Sequence, residues 1–130
     1  MAGNNATIEQ VDAFLKEFQA KAKVFGICYN IDKEENQQTL FDLEMPASKR
    51  DEYILSLRPE DYYQGPNIND YDPNEGDVWM FGIGIRKNGK GPIIPIYIKI
   101  YITKVNGAAN YCISFHRAKF EMTFPYKDSL

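Results

Sequence analysis

The chain predicts an α+β fold in which an antiparallel sheet, ending in a C-terminal three-stranded meander, packs against N-terminal helices. Three observations point there. Apolar residues recur at helical spacing near the N-terminus, three runs rich in β-formers fill the second half, and the segments between those runs each hold an Asn-Gly pair. With 130 residues, 44% hydrophobic and 14% aromatic, the sequence has material for one core, so residues 1–130 are expected to form a single domain.

Thr7 and Gln10 have the spacing of a capping box, and Ile8, Val11, Phe14, Leu15 and Phe18 follow at helical intervals. They predict a helix over about Ile8 to Lys23. VFGICYNI then reads as a strand and the polar DKEENQQ as a loop. TLFDLEMPASKRDEYILSL predicts a short helical turn, a break at Pro46 and a second helix to about Leu57, which Arg58 and Pro59 stop. From Pro59 to Asp77 the chain carries three prolines, two glycines and six carboxylates, the composition of a solvated loop. Tyr62, Tyr63 and Tyr71 in it are either exposed recognition residues or loop anchors. WMFGIGIR, IIPIYIKIYIT and YCISFHR supply the meander, turned at Asn88-Gly89 and Asn106-Gly107, where a positive φ is tolerated.

The formal net charge is −3, but it is unevenly placed. Met1 to Val78 holds 7 basic and 16 acidic residues, a net −9, whereas Trp79 to Leu130 holds 8 and 2, a net +6. That asymmetry fits an anion-binding face on the second half, and equally two halves that attract each other. No apolar run approaches the roughly 18 to 20 residues of a membrane span, and MAGNNATIEQVDAF lacks the pattern of a secretory signal. The expected compartment is the cytoplasm, with no membrane partner. Cys28 and Cys112 are far apart and form no CxxC pair, so both are expected to be small buried hydrophobes. One histidine and two separated thiols make no ligand cluster, and neither a metal nor a cofactor is expected.

Strand side chains alternate between faces, and this sorts the meander. Ile94, Ile96, Ile98, Ile100 and Ile102 point one way, with Trp79, Phe81, Ile83 and Ile85 beside them, and predict a buried face under the first helix. On the third strand Tyr111, Ile113 and Phe115 are assigned to that face, and Cys112, Ser114 and His116 to the other. The second face would carry Arg86, Tyr97, Lys99, Tyr101, Ser114 and His116, with Gly82 and Gly84 leaving the backbone open to close approach. Antiparallel sheets often have one wet face of this kind. A merely solvated face usually mixes signs, however, and this one has no Asp or Glu although the chain has 18 of them.

Such a face suits metal-free RNA cleavage, which must deprotonate a ribose 2′-hydroxyl, stabilise charge at phosphorus and protonate the leaving 5′-oxygen. His116, the one histidine, titrates in the useful range, and a tyrosine hydroxyl is a fitting partner. Lys99 and Arg86 would face the phosphoryl oxygens, Tyr97 or Tyr101 would stack on a base, and Ser114 would support the site. GIGIRKNGKG lacks the spacing of a phosphate-binding loop, and the chain offers no carboxylate pair or Ser-His-Asp order.

The order of DYY (Asp61 to Tyr63), Trp79, IYIKI (Ile96 to Ile100) and ISF (Ile113 to Phe115) with a basic residue following resembles the MqsR-type toxins of bacterial toxin-antitoxin pairs. Further shared marks are a DY-x-x-GP loop, a W-x-FG strand and a CISFH strand before a Pro-aromatic-Lys tail, here Pro125, Tyr126 and Lys127. The resemblance runs from about Val11 to Lys127. It implies a RelE-like fold, a metal-independent endoribonuclease acting on mRNA, and an antitoxin protein encoded by an adjacent gene as partner. The family's strand tyrosine falls on Tyr97 and its final-strand lysine on His116. Two positions depart: a family lysine is Gln64 here, and a glutamine is Met80. The implied catalytic set is His116, Tyr97, Lys99 and Gln64, with Arg86, Tyr101 and Ser114 as RNA contacts. The competing reading is a non-catalytic binding protein that uses the same face, or the acidic Tyr-rich loop.

Overall fold

Thr7 and Gln10 close the expected capping box in the computed structural model, which describes residues 5–127. The Thr7 backbone N–H donates to Gln10 Oε1 at 2.8 Å, and the Gln10 N–H donates to Thr7 Oγ1 at 3.1 Å. Helix α1 (Ile8–Phe25) follows, burying Val11, Phe14, Leu15, Phe18 and Ala22. A fully buried side chain of this kind contributes roughly 1.5–3 kcal/mol, so this stripe holds the helix on the sheet.

After α1 come β1 (Ile27–Tyr29), α2 (Glu34–Leu43), α3 (Lys49–Leu55), a 3₁₀ turn (Pro59–Asp61), β2 (Tyr62–Asn67), β3 (Val78–Lys87), β4 (Lys90–Tyr101) and β5 (Asn110–Arg117). The protein is thus α+β, and the described residues form three α-helices and an open five-stranded sheet in the order β1-β5-β4-β3-β2. β1 runs parallel to β5 and every other pair is antiparallel, so the sheet is mixed.

The meander forms as expected, but its two turns differ. Asn88 (φ 51°) and Gly89 (φ 72°) make a two-residue hairpin in which both central residues take positive φ. Asn106-Gly107 instead lies in a longer connection, where the Ala108 N–H reaches the Val105 carbonyl and Gly107 alone has positive φ.

Two segments expected to be loops carry regular structure. DKEENQQ opens α2, whose buried residues Asn36, Thr39, Leu40 and Leu43 stand at helical spacing with two polar members. Those polar members serve the sheet. Asn36 accepts from the Phe115 N–H and donates to the Ile113 carbonyl, both at 3.0 Å, and Thr39 Oγ1 accepts from the Arg117 N–H at 2.9 Å. α2 therefore satisfies the edge of β5 beyond the short β1. β2 is an edge strand with two register shifts against β3, which explains how Gly65 and Pro66 fit in it.

One face of the sheet follows the expected pattern. Phe81, Ile96, Ile98, Ile100 and Phe115 are fully buried with Phe18 of α1 and Ile54 of α3, and Phe14 stacks on Trp79 at 4.5 Å. β5 departs from simple alternation. Lys99 pairs with Ser114 but Ile100 pairs with Cys112, leaving Ile113 as an extra residue. Cys112 consequently joins Phe115 in the main core, while Ile113 packs with Val78, Met80 and Tyr101 on the opposite side and Tyr111 moves there with it. Cys28, expected to be buried, is exposed. Among the described residues no helix is long and apolar enough to cross a membrane.

Candidate functional site

The second face of the sheet places Tyr97 opposite His116 and Lys99 opposite Ser114, in adjacent rows of β4 and β5. Pinning of α2 to β5 by Asn36 brings Lys33, at the start of that helix, over the same rows. Lys33 Nζ donates to Ser114 Oγ at 2.8 Å. The Lys99 side chain has no hydrogen bond or ion pair with any described residue. Burial, then the neighbouring Lys99 charge, lowers the Lys33 ammonium from its ordinary value, with Glu35 pulling the other way. Two lysines thus flank a serine with no carboxylate among the described residues bound to either, while the nearby Glu35 is engaged by Lys119.

His116 is 5% exposed, and its Nδ1 lies 2.9 Å from the Arg117 carbonyl. A carbonyl only accepts, so Nδ1 carries the proton and Nε2 is left with the lone pair. Burial lowers the imidazole's pKa from 6.5, against the upward pull of the Arg117 carbonyl and Glu35. The ring is neutral at pH 7. Tyr97 packs on it with ring centroids 5.5 Å apart, and burial pushes the Tyr97 phenol up to about 12, so that it keeps its proton. A neutral base, a protonated phenol and two ammonium groups therefore share one patch.

Four of the residues expected in a site, Tyr97, Lys99, Ser114 and His116, lie together here. Three do not. Arg86 sits at an irregularity between Ile85 and Lys87, donates to the Gly91 carbonyl, and lines a cavity of about 430 Å³ with Leu43, Met45 and Tyr53 on the helix side. Tyr101 is 3% exposed beneath Tyr111, which stacks on it at 5.5 Å and is itself capped by Tyr71. It has no surface to offer a base. Gln64 ends the row Ser114, Lys99, Met80, Gln64, about 14 Å from Ser114 at the usual strand spacing, beside Thr123 and Phe124.

The acidic loop is anchored over this face rather than free. Glu75 accepts from Thr103 Oγ1 at 2.9 Å and the Lys104 N–H at 2.6 Å, and Tyr71 shares a 2.8 Å hydroxyl contact with Tyr111. Tyr62, for which exposure was one expectation, is fully buried and accepts from the Ala6 N–H.

Gly82 and Gly84 do not leave open backbone. Residues 118–127 cross the face, and a Cβ on Gly82 would stand 2.6 Å from Met122 Cε and 2.8 Å from Phe124 Cζ; one on Gly84 would meet Ile93. The tail also brings Phe120 between Tyr63 and Tyr97, at 5.8 and 5.7 Å. Lys33 and Phe120 are the residues that sequence reasoning missed. The i, i+3, i+4, i+7 spacing of Asn36, Thr39, Leu40 and Leu43 is the signal for α2, and the alternation of Phe120, Met122 and Phe124 is the signal for an extended tail. No group of three or more His, Cys, Asp or Glu side chains among the described residues is gathered to hold a metal ion.

Comparison of the chain with family models, with curated proteins and with solved structures finds no match.

Proposed function

We propose that the chain is a metal-independent mRNA endoribonuclease, a divergent MqsR-type toxin of RelE-like fold that works in the cytoplasm and is restrained by an antitoxin protein encoded next to it. The observation that carries this reading is the pairing of two lysines, bound to no carboxylate among the described residues, with a neutral imidazole and a protonated phenol.

In the proposed reaction, His116 Nε2 takes the proton of a ribose 2′-hydroxyl. The 2′-oxygen bonds to phosphorus, the bond from phosphorus to the 5′-oxygen breaks, and the Tyr97 phenol donates its proton to that oxygen. Lys33 and Lys99 stabilise the charge on the non-bridging oxygens. The products are a 2′,3′-cyclic phosphate and a 5′-hydroxyl. Because burial lowers the His116 pKa from 6.5, the base form predominates at neutral pH, and the rise of the rate with pH is centred below 6.5.

The test is cleavage of end-labelled single-stranded RNA in the presence of a chelator, with growth arrest on induced expression as the cellular counterpart. His116→Ala is expected to lower the rate by roughly 10²- to 10⁴-fold. Equal rates for the variant and the parent chain, or no cleavage and no arrest from the parent, would sink the reading. The 5% exposure of His116 favours one alternative, a binding protein of the same fold in which the imidazole only packs on Tyr97. Salt-sensitive RNA binding without cleavage is its signature.

A further inference from the structure

The tail that crosses the second face carries one residue that its packing does not use up. Phe120 is 50% exposed, although it touches both Tyr63 and Tyr97. Residues on either side of it are fixed. The Ala118 N–H donates to the Pro95 carbonyl at 2.9 Å, Lys119 is paired with Glu35, and Met122 and Phe124 press on the backbone of Gly82. Gly82 is the β3 partner of Tyr97, which is the β4 partner of His116, so the tail is seated on the row that holds the imidazole. Downstream, Tyr126 stacks on Tyr62 and donates to the Ala6 carbonyl. The ring of Phe120 is held by its neighbours, and half its surface faces solvent.

A continuous aromatic path then runs Tyr63, Phe120, Tyr97, His116, with centroid steps of 5.8, 5.7 and 5.5 Å. At its far end lie Lys33 and Lys99. An exposed aromatic ring on the same face as a cationic patch is the arrangement by which proteins hold single-stranded nucleic acid: the cations take the backbone and the ring takes a base face. Duplex RNA cannot use it, because its bases are stacked on one another. Of the described carboxylates, Glu35 is bound to Lys119, and Glu121 follows Phe120 in the tail. Neither is bound to Lys33 or Lys99.

We propose that Phe120 is a nucleobase-stacking platform, and that the ligand of this face is single-stranded RNA whose backbone phosphate sits at Lys33 and Lys99 while a neighbouring base lies on the exposed side of the Phe120 ring. This deepens the endoribonuclease reading and rests on it for the nature of the ligand. It also replaces Tyr101, buried under Tyr111, as the stacking residue. Because the tail is an extended segment rather than part of the sheet, the platform is a separable addition to the cationic rows.

The test measures affinity of the full chain, His116→Ala to prevent turnover, for a labelled single-stranded RNA decamer, its duplex, and inorganic polyphosphate. Phe120→Leu is expected to weaken the single strand about tenfold, the usual loss on removing one base-stacking ring, and to leave polyphosphate unchanged. Phe120→Trp is expected to restore or tighten single-strand binding, which separates stacking from any damage to the tail. Lys99→Ala is expected to weaken both ligands. Single-strand affinity within twofold of the parent in Phe120→Leu, while Lys99→Ala still loses affinity, overturns the platform and leaves the phosphate site standing. Equal affinity for single strand and duplex also overturns it. If the parent binds neither RNA nor polyphosphate, the endoribonuclease reading fails and the platform with it.

Discussion

The two faces of this sheet share one backbone and are built on opposite terms. On the helix-covered face, Ile96, Ile98 and Ile100 form one apolar cluster with Phe81, Phe115, Phe18 of α1 and Ile54 of α3. On the other face, Ser114 and His116 are nearly as buried, yet both are hydrogen-bonded: Ser114 Oγ to Lys33, and His116 Nδ1 to the Arg117 carbonyl. The first face depends on filling volume and the second on satisfying donors and acceptors. Errors in the two therefore have different costs, and several substitutions probe that contrast.

The largest expected effect is on the apolar face. Phe115→Ala removes a fully buried ring packed against Ile98 and Tyr53 and should lower stability by about 3–5 kcal/mol in urea unfolding. A loss under about 1 kcal/mol would mean that the helix layer collapses into the gap, and that this face is less rigid than its packing implies.

The next effect lies at the junction of the faces. Asn36→Ala orphans the Phe115 N–H and the Ile113 carbonyl, each worth about 1–3 kcal/mol when left unsatisfied in a buried place. It should also loosen α2 and so displace Lys33 from Ser114. Amide exchange at Phe115 that stays as slow as in the parent chain would refute this.

The smallest effect concerns pH. The folded-state pKa of His116 lies below its unfolded value of 6.5, so between the two the unfolded chain binds more protons. Stability should therefore rise with pH through that window and fall on acidification below 6.5. His116→Gln should flatten this part of the stability profile. An unchanged slope in the variant would assign the pH dependence to the carboxylates.

Much of the helix-covered face is legible in the order of amino acids alone. The helical spacing from Ile8 to Phe18 and the alternation of five isoleucines are local patterns that burial of one face imposes directly. The second face is legible only where it obeys the same rule, which is why alternation assembles Tyr97, Lys99, Ser114 and His116 but not Lys33. Lys33 adjoins a helix whose inward residues include Asn36 and Thr39, which bond β5 instead of adding apolar surface, so hydropathy does not mark it. Alternation assigns Ile113 to the wrong face because a bulge adds one residue to the count, and periodicity cannot see that. Arg86 and Tyr101 fit the alternation equally well. In the fold, a strand-end irregularity turns the first away, and an overlying loop buries the second.

By itself, then, the amino-acid order determined the α1 helix, the three meander strands and the core face between them, because each is set by residues close in sequence meeting a solvent boundary. The tertiary structure alone decided which distant groups joined the polar residues of the second face. Lys33 and Ser114 stand 81 residues apart and the tail reaches Gly82 from the far end of the chain. Contacts of that range depend on where a helix is pinned and which glycine leaves room, and no local pattern encodes either.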